Sequence, residues 1–248
     1  MTYNFTVNPD FNPSHLSGWF IFNTWLQKTL DESIHLELYN DSETLQRAIT
    51  DNCVDLIYAN PFNAAMLVRE KGFQAVVAPS QKPDEAVIAV PADSPIGQVE
   101  DLKPGTRIAT IADPDVHLMS MIMLEPADLN VENTQINHRD SYVLVAKDLI
   151  QGNADIGFFL EEAYQDLSGV IRKQLRILAS SQIRTIHHVL LVGPRLVHRR
   201  NDMQQALLSM SNDSKGKGVL TSLALPNWEA VEQEEMEFMI DLMDTLES

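Results

Sequence analysis

Apolar positions along this chain change period repeatedly, and the changes lay out an alternating α/β order. Phe5 and Val7 mark a short first strand. Leu16, Trp19, Phe20, Leu26 and Leu30 follow at helical spacing after Asn12-Pro13-Ser14, with Ser14 as candidate cap. Ile34, Leu36 and Leu38 alternate with His35, Glu37 and Tyr39, a strand pattern. Ser42 opens a helix carrying Leu45, Ala48 and Ile49; Val54 to Ala59 reads as a strand, Ala64 to Glu70 as a helix, and Gln74 to Ala78 as a strand. Such strand–helix alternation predicts a parallel or mixed sheet covered by helices.

A second run repeats the arrangement. Strands are expected at Ala86–Val90, Arg107–Ile111, Val131–Ile136 and Ile156–Phe159, with helices near Val116–Leu124, Tyr142–Gln151 and up to Tyr164. Leu175–Ala179 and His188–Val192 read as return strands, and Met236, Met239, Ile240 and Met243 share one face of a terminal helix. Two segments stand out, Val54-Asp-Leu-Ile-Tyr-Ala-Asn-Pro-Phe-Asn63 and Asn153-Ala-Asp-Ile-Gly-Phe-Phe-Leu-Glu-Glu162. Each sets an Asp before an apolar strand that runs into a turn and a helix. Open α/β sheets bind small ligands outside the carboxyl ends of their strands, so two such edges predict a cleft shared by two lobes, and binding rather than chemistry.

Composition narrows the classes. At 248 residues and 44% hydrophobic, the chain has the material for one large domain or two of about 120 residues. The formal charge of −17, without a basic stripe, disfavours nucleic acid as a partner. A single cysteine, Cys53, excludes an internal disulfide and multi-cysteine metal sites, and is expected as a packed residue. No apolar run reaches the ~18 residues that span a bilayer, so direct membrane insertion is not expected. The start shows no leader features; the compartment is periplasmic if a signal peptide was removed ahead of Thr2, and cytoplasmic otherwise. Glu232, Glu234, Glu235 and Glu237 read as a solvated helix face, and Lys215-Gly-Lys-Gly218 lacks the glycine spacing of a phosphate loop. No metal site or cofactor is expected.

Taken in order, Val54-Asp-Leu, Asp93-Ser-Pro-Ile, Glu100-Asp-Leu-Lys, Asp113-Pro114, Gly152-Asn-Ala-Asp155-Ile-Gly157 and Asn227-Trp228-Glu-Ala-Val231 cover nearly the whole chain. In this order and spacing the chain resembles the substrate-binding proteins of phosphonate, phosphite and phosphate ABC transporters. The resemblance implies a two-lobed type II periplasmic-binding-protein fold: mixed sheets covered by helices, lobe I from 1–83 and 186–248, lobe II from 84–185. It implies two crossover hinges, near Lys82–Glu85 and Arg184–His187, and closure on a small-molecule ligand by hinge motion.

Departures from the family pattern shape the expected ligand. Family members follow Asp-Pro with a Ser-Thr-Ser-Gly run whose hydroxyls and backbone amides hold an oxyanion at a helix start. Here the run is Val116-His-Leu-Met119. Counting back from Gly152 and Asp155, the family's anion-contacting His falls on Tyr142, with His138 four residues earlier, and the family's Gly-Pro has become Asn60-Pro61. A buried dianion needs many donors, so phosphonate, phosphite and phosphate are not expected. Candidate walls are Phe11, Tyr58, Phe62, Tyr142, Phe158 and Phe159. Candidate polar contacts are Asn60, Asn63, Asp113, Asp115, His117, Glu161, Glu162 and Arg184, a set that suits a neutral or amine-bearing ligand.

Each candidate has a structural rival. Phe158 and Phe159 continue an apolar strand, so at least one of them reads as core. His117 sits in a helical run, Asp113 is placed to cap a helix, and Glu161 and Glu162 favour a helix dipole without a ligand. His187 and His188 point to opposite sides of a strand and cannot chelate together. The leading expectation is a non-catalytic solute binder serving a membrane permease or a sensor kinase. The alternative is a cytoplasmic enzyme resembling those of menaquinone biosynthesis, although no nucleophile–base pair or metal-ligand spacing is visible. The effector half of a transcription regulator and a degenerate member acting through protein contacts remain as further readings.

Overall fold

The computed structural model describes residues 2–11, 13–82, 84–183 and 186–247. The chain forms two compact units, one from Met1–Pro83 and His187–Asp244, the other built on Asp84–Ile186. The first contains strands β1 (Thr2–Val7), β2 (Ser33–Leu36), β3 (Leu56–Ala59) and β4 (Gln74–Pro79), with helices α1 (Leu16–Leu30), α2 (Ser42–Thr50) and α3 (Pro61–Lys71) between them. The second contains β5 (Ala86–Pro91), β6 (Arg107–Ile111), α4 (Pro114–Met123), β7 (Gln135–Arg139), α5 (Tyr142–Ile150), β8 (Ile156–Leu160), α6 (Glu161–Asp166), α7 (Gly169–Arg172) and β9 (Leu175–Ser180). The chain then returns to the first unit through β10 (Val189–Val192), α8 (Arg200–Leu208), α9 (Ser214–Ser222), β11 (Trp228–Ala230) and α10 (Gln233–Glu247).

The six-stranded sheet runs β11-β4-β10-β3-β1-β2 and the five-stranded sheet β7-β6-β8-β5-β9. The two share a plan. In each, three parallel strands (β2, β1, β3; β7, β6, β8) are joined by one antiparallel strand, β10 or β5, that continues the sheet. The period of two explains why the central strands read as unbroken apolar runs. Leu56 and Tyr58 face the core that holds Trp19, Phe22 and Leu26, whereas Ile57 and Ala59 face the core of Leu45, Ile49, Leu67 and Met239. Both faces are covered, so alternation disappears from the sequence.

The two aspartates that open the conspicuous segments act as register pins. Asp55 Oδ2 accepts from the Asn4 amide at 2.9 Å, and the Asp55 amide donates to the Asn4 carbonyl. Asp155 Oδ2 accepts from the Arg107 amide at 2.9 Å, and its own amide donates to the Arg107 carbonyl. Arg195 and the Arg107 side chain complete the two pairs. Both pins sit where their strands begin, at the end opposite the carboxyl edges.

Several elements differ from expectation. The strand expected over Val131–Ile136 lies at Gln135–Arg139, and Val131 is exposed. Asn130 and Asn133 explain the shift: each side-chain oxygen accepts backbone amides, holding residues 130–133 in a turn that the apolar Val131 did not reveal. Strand β2 stops at Leu36, short of Leu38. A short 3-10 turn, Pro13–His15, precedes α1, whose N-cap is His15 without a side-chain cap bond. Helices α8 and α9 and strand β11 had no clear periodic signal: α8 buries only Met203 and Leu207, and α9 is a Ser-Lys-Gly segment started by Asp213, whose carboxylate accepts the Lys215 and Gly216 amides. Cys53 is exposed, not packed.

Candidate functional site

Each sheet has a carboxyl edge where strands give way to helices. In the first unit Asn60 follows β3 in extended conformation and caps α3, its side chain accepting from the Asn63 amide at 3.0 Å, with Pro61 in the first turn. Gln46 of α2 donates to the Asn63 side-chain oxygen, Asn63 donates to Asn8, and Asn8 donates to Asp10 Oδ2 at 2.7 Å. The chain of donors ends on a carboxylate whose other oxygen meets His188 Nε2 at 3.3 Å. His188 stacks on Tyr58 at 5.1 Å between centroids, and Trp19 packs on Tyr58 at 4.8 Å.

Burial alone would raise the Asp10 pKa. The charge of His188, with hydrogen bonds from His188, Asn8 and Asn60, outweighs it and holds the carboxyl below its usual 3.8. Asn60 and Asn63 are thus members of a closed polar network, both buried. Tyr58 is 7% exposed and lies within the core rather than as an open wall. Phe11 packs against the same core, partly buried, and Phe62 is half-buried. Asn8 and Asp10 follow β1 at the same carboxyl edge as Asn60, and the carboxyl-edge rule extended from β3 to β1 would have flagged Asn8-Pro9-Asp10.

The second unit's edge is organised by Asp113. It ends the segment after β6 in extended conformation and caps α4, with Pro114 in the first turn. Its Oδ1 accepts the Asp115 and Val116 amides at 3.1 and 3.2 Å, and its carbonyl accepts the His117 amide at 3.0 Å. The first-turn donors of α4 are therefore bound by the chain's own carboxylate and carbonyl. The Tyr142 hydroxyl reaches Asp113 Oδ2 at 3.5 Å, and the Tyr142 ring stacks on Phe159 at 5.7 Å. Tyr142 begins α5, capped by Ser141.

His117 is half-buried, and its Nδ1 is buried without a hydrogen-bond partner among the described residues. Burial, and then the nearby His138, lower its pKa, so the ring is neutral at neutral pH. Asp115 is buried. Phe158 and Phe159 are both fully buried: Phe158 lies 6.3 Å from the His117 ring, and Phe159 meets Tyr164 edge-on. Glu161 and Glu162 are half-buried in the first turn of α6, and the Glu161 amide donates to the Glu85 carbonyl at 2.7 Å. Arg184 lies outside the described residues. Glu85, which the sequence did not single out, is buried; its carboxylate accepts from the Ser181 hydroxyl and the Ile183 amide.

Among the described residues no three or more His, Cys, Asp or Glu side chains gather where they could hold a metal ion, and no helix is long and apolar enough to cross a membrane. Comparison with curated proteins returns no match. Solved structures match across essentially the whole chain. PhnD1 from Prochlorococcus marinus in complex with methylphosphonate is 13% identical with a TM-score of 0.83, covering 99% of this chain and 98% of that one. A binding protein component of an ABC phosphonate transporter from Pseudomonas aeruginosa is 14% identical with a TM-score of 0.76, covering 100% and 89%. The periplasmic aliphatic sulphonate binding protein SsuA from Escherichia coli is 17% identical with a TM-score of 0.71, covering 99% and 91%. At these identities the likeness shows the fold, the type II periplasmic-binding-protein fold. The family described as "ABC transporter, phosphonate, periplasmic substrate-binding protein" matches residues 5–236, so this chain belongs to the phosphonate-type periplasmic substrate-binding proteins of ABC transporters.

Proposed function

We propose that this protein is a non-catalytic solute binder that closes on its ligand by hinge motion and delivers it to a membrane permease, and that the ligand is neutral or amine-bearing rather than a phosphonate, phosphite or phosphate. Family membership supports the transport role. The turn after Asp113-Pro114 carries the ligand reading: Val116-His-Leu-Met119 brings no hydroxyl where family members carry a Ser-Thr-Ser-Gly run. A helix start attracts an oxyanion through unsatisfied amides and a positive dipole end. Here Asp113 accepts two of those amides and supplies the negative charge itself. A dianion would have to displace this carboxylate or lie beside it. Two like charges about 4 Å apart cost roughly 4 kcal/mol at the effective dielectric of a protein surface. The side chains that follow do not repay that cost, because Val116 has no donor and His117 is neutral.

A thermal-shift series tests the proposal. A ligand at about 100 times its Kd stabilises the folded state by about 2.7 kcal/mol, a readily measured rise in Tm. Methylphosphonate, phosphite and phosphate are expected to give no saturable rise, and at least one member of a panel of amine-bearing and uncharged polar solutes to give one. A saturable rise with methylphosphonate would overturn the ligand reading, and turnover of any bound compound would overturn the non-catalytic one.

A further inference from the structure

At the end of the first unit's sheet where β3 begins, remote along the strand from Asn60, a crevice of about 180 Å³ opens. Its lining includes the apolar side chains of Ile49, Val54 and Phe73 together with Lys71, Arg195 and Asp55. The lining carries two cations, Lys71 and Arg195, and one carboxylate, Asp55. Asp55 is turned inward: its side chain is 2% exposed and is held by the Asn4 amide and by Arg195 Nη1 at 3.2 Å. Arg195, 46% exposed, lies over the Tyr3 ring at 5.8 Å, and its Nε and Nη2 make no hydrogen bond among the described residues. Lys71 commits one N–H to the Thr50 carbonyl at a long 3.4 Å.

Cationic donors in a partly apolar lining suit a small amphipathic monoanion. The volume falls below the roughly 300–1,000 Å³ of drug-sized pockets, which excludes a nucleotide or a sugar phosphate. We propose that the crevice binds a short aliphatic carboxylate, with its carboxylate on Lys71 and Arg195 and its alkyl chain over Ile49, Val54 and Phe73. The site does not depend on the proposed transport ligand, because it lies at the other end of β3.

Butyrate is the probe. Titrated into 15N-labelled protein at constant ionic strength, it is expected to give saturable amide shifts at Asn52, Cys53, Val54 and Asp55, with a Kd of about 1–10 mM as befits so few heavy atoms. Lys71→Met, at a half-buried surface position, should weaken binding about fivefold or more by removing one charge-assisted contact. Arg195→Met should do the same, and Lys71→Met keeps the test valid if loss of the Asp55 pair unfolds that variant. Absence of saturation, equal shifts with sodium chloride, or unchanged binding in Lys71→Met would each overturn the assignment.

Discussion

Asp10 and Asp113 show how much a carboxylate's role depends on who donates to it. Both follow a parallel strand at a carboxyl edge, Asp113 as a helix cap and Asp10 as the terminus of a side-chain network. Asp10 supports a prediction about pH. Its folded pKa lies below the unfolded value, so the unfolded chain binds its proton first as pH falls. The resulting stability is fully present above the unfolded carboxylate value near 4 and is lost as pH drops through the lower folded value. Asp10→Asn should lower unfolding free energy at pH 7 by about 1–3 kcal/mol, since a charged hydrogen-bonded group is replaced. It should also flatten the acid limb, because the variant has no proton to gain there. Urea unfolding at pH 7 and pH 3 checks both; a variant with the wild-type acid limb would refute the role given to Asp10. Asp155 is held low too, by its bonds to Arg107, so a residual acid slope is expected in the variant.

Among the helices, α1 and α9 approach closely because Gly18 has no side chain. A Cβ there would clash with the Ser222 carbonyl oxygen of α9 and press on Leu223. Two effects oppose each other in Gly18→Ala. Alanine gains up to about 1 kcal/mol in helix propensity. Forcing an extra carbon against packed backbone costs about 1–3 kcal/mol. The clash meets backbone, which cannot swing away, so a net loss is expected. Gly218→Ala, on α9 itself with nothing within 4 Å of the added carbon, should show the propensity gain alone. Urea midpoints of the two variants moving in opposite directions would bear this out; a shared direction would not. This pairing of α1 with α9 was illegible in the chain, because Ser214–Ser222 has two glycines, two lysines and few apolar residues, and becomes helical through the Asp213 cap and burial of Val219 and Leu220.

Taken as a whole, the molecule has one continuous unit and one discontinuous unit. The continuous one has its ends tied together: the Asp84 amide donates to the Ile186 carbonyl at 2.7 Å, the Ala86 amide donates to the Ser181 hydroxyl at 2.9 Å, and Glu85 accepts from Ser181 and Ile183. Its five-stranded sheet also has its own core of Val87, Val145, Leu149, Phe159 and Leu175. A fragment of residues 84–186 is therefore expected to fold alone, with a single cooperative urea transition and a denaturant slope reduced in proportion to the smaller surface exposed. A non-cooperative transition would show that the unit depends on the rest of the chain. Glu85→Ala in that fragment should weaken it by about 1–3 kcal/mol, by leaving the Ser181 and Ile183 donors unsatisfied.

The order of elements was legible because burial of both sheet faces imposes apolar runs at Leu56–Ala59, Ala86–Val90 and Ile156–Phe159, and because Gly, Pro and Asn mark the turns between them. The family was legible because short motifs keep their order and spacing across the chain. Local chemistry also revealed the cap at Asp113, since a carboxylate before Pro114 and an apolar turn needs no distant partner. Long-range contacts decided the rest. Asn8 and Asp10, Gln46, Asn63 and His188 come from four separate stretches, and only the pairing of β1, β3 and β10 brings them into one network. Strand pairing within each sheet made register pins of Asp55 and Asp155 where their strands begin, and packing within the second unit buried Phe158 and Phe159. A side chain's type and spacing state what it can bond to; which partner lies within three ångströms is set by how the sheets close around it.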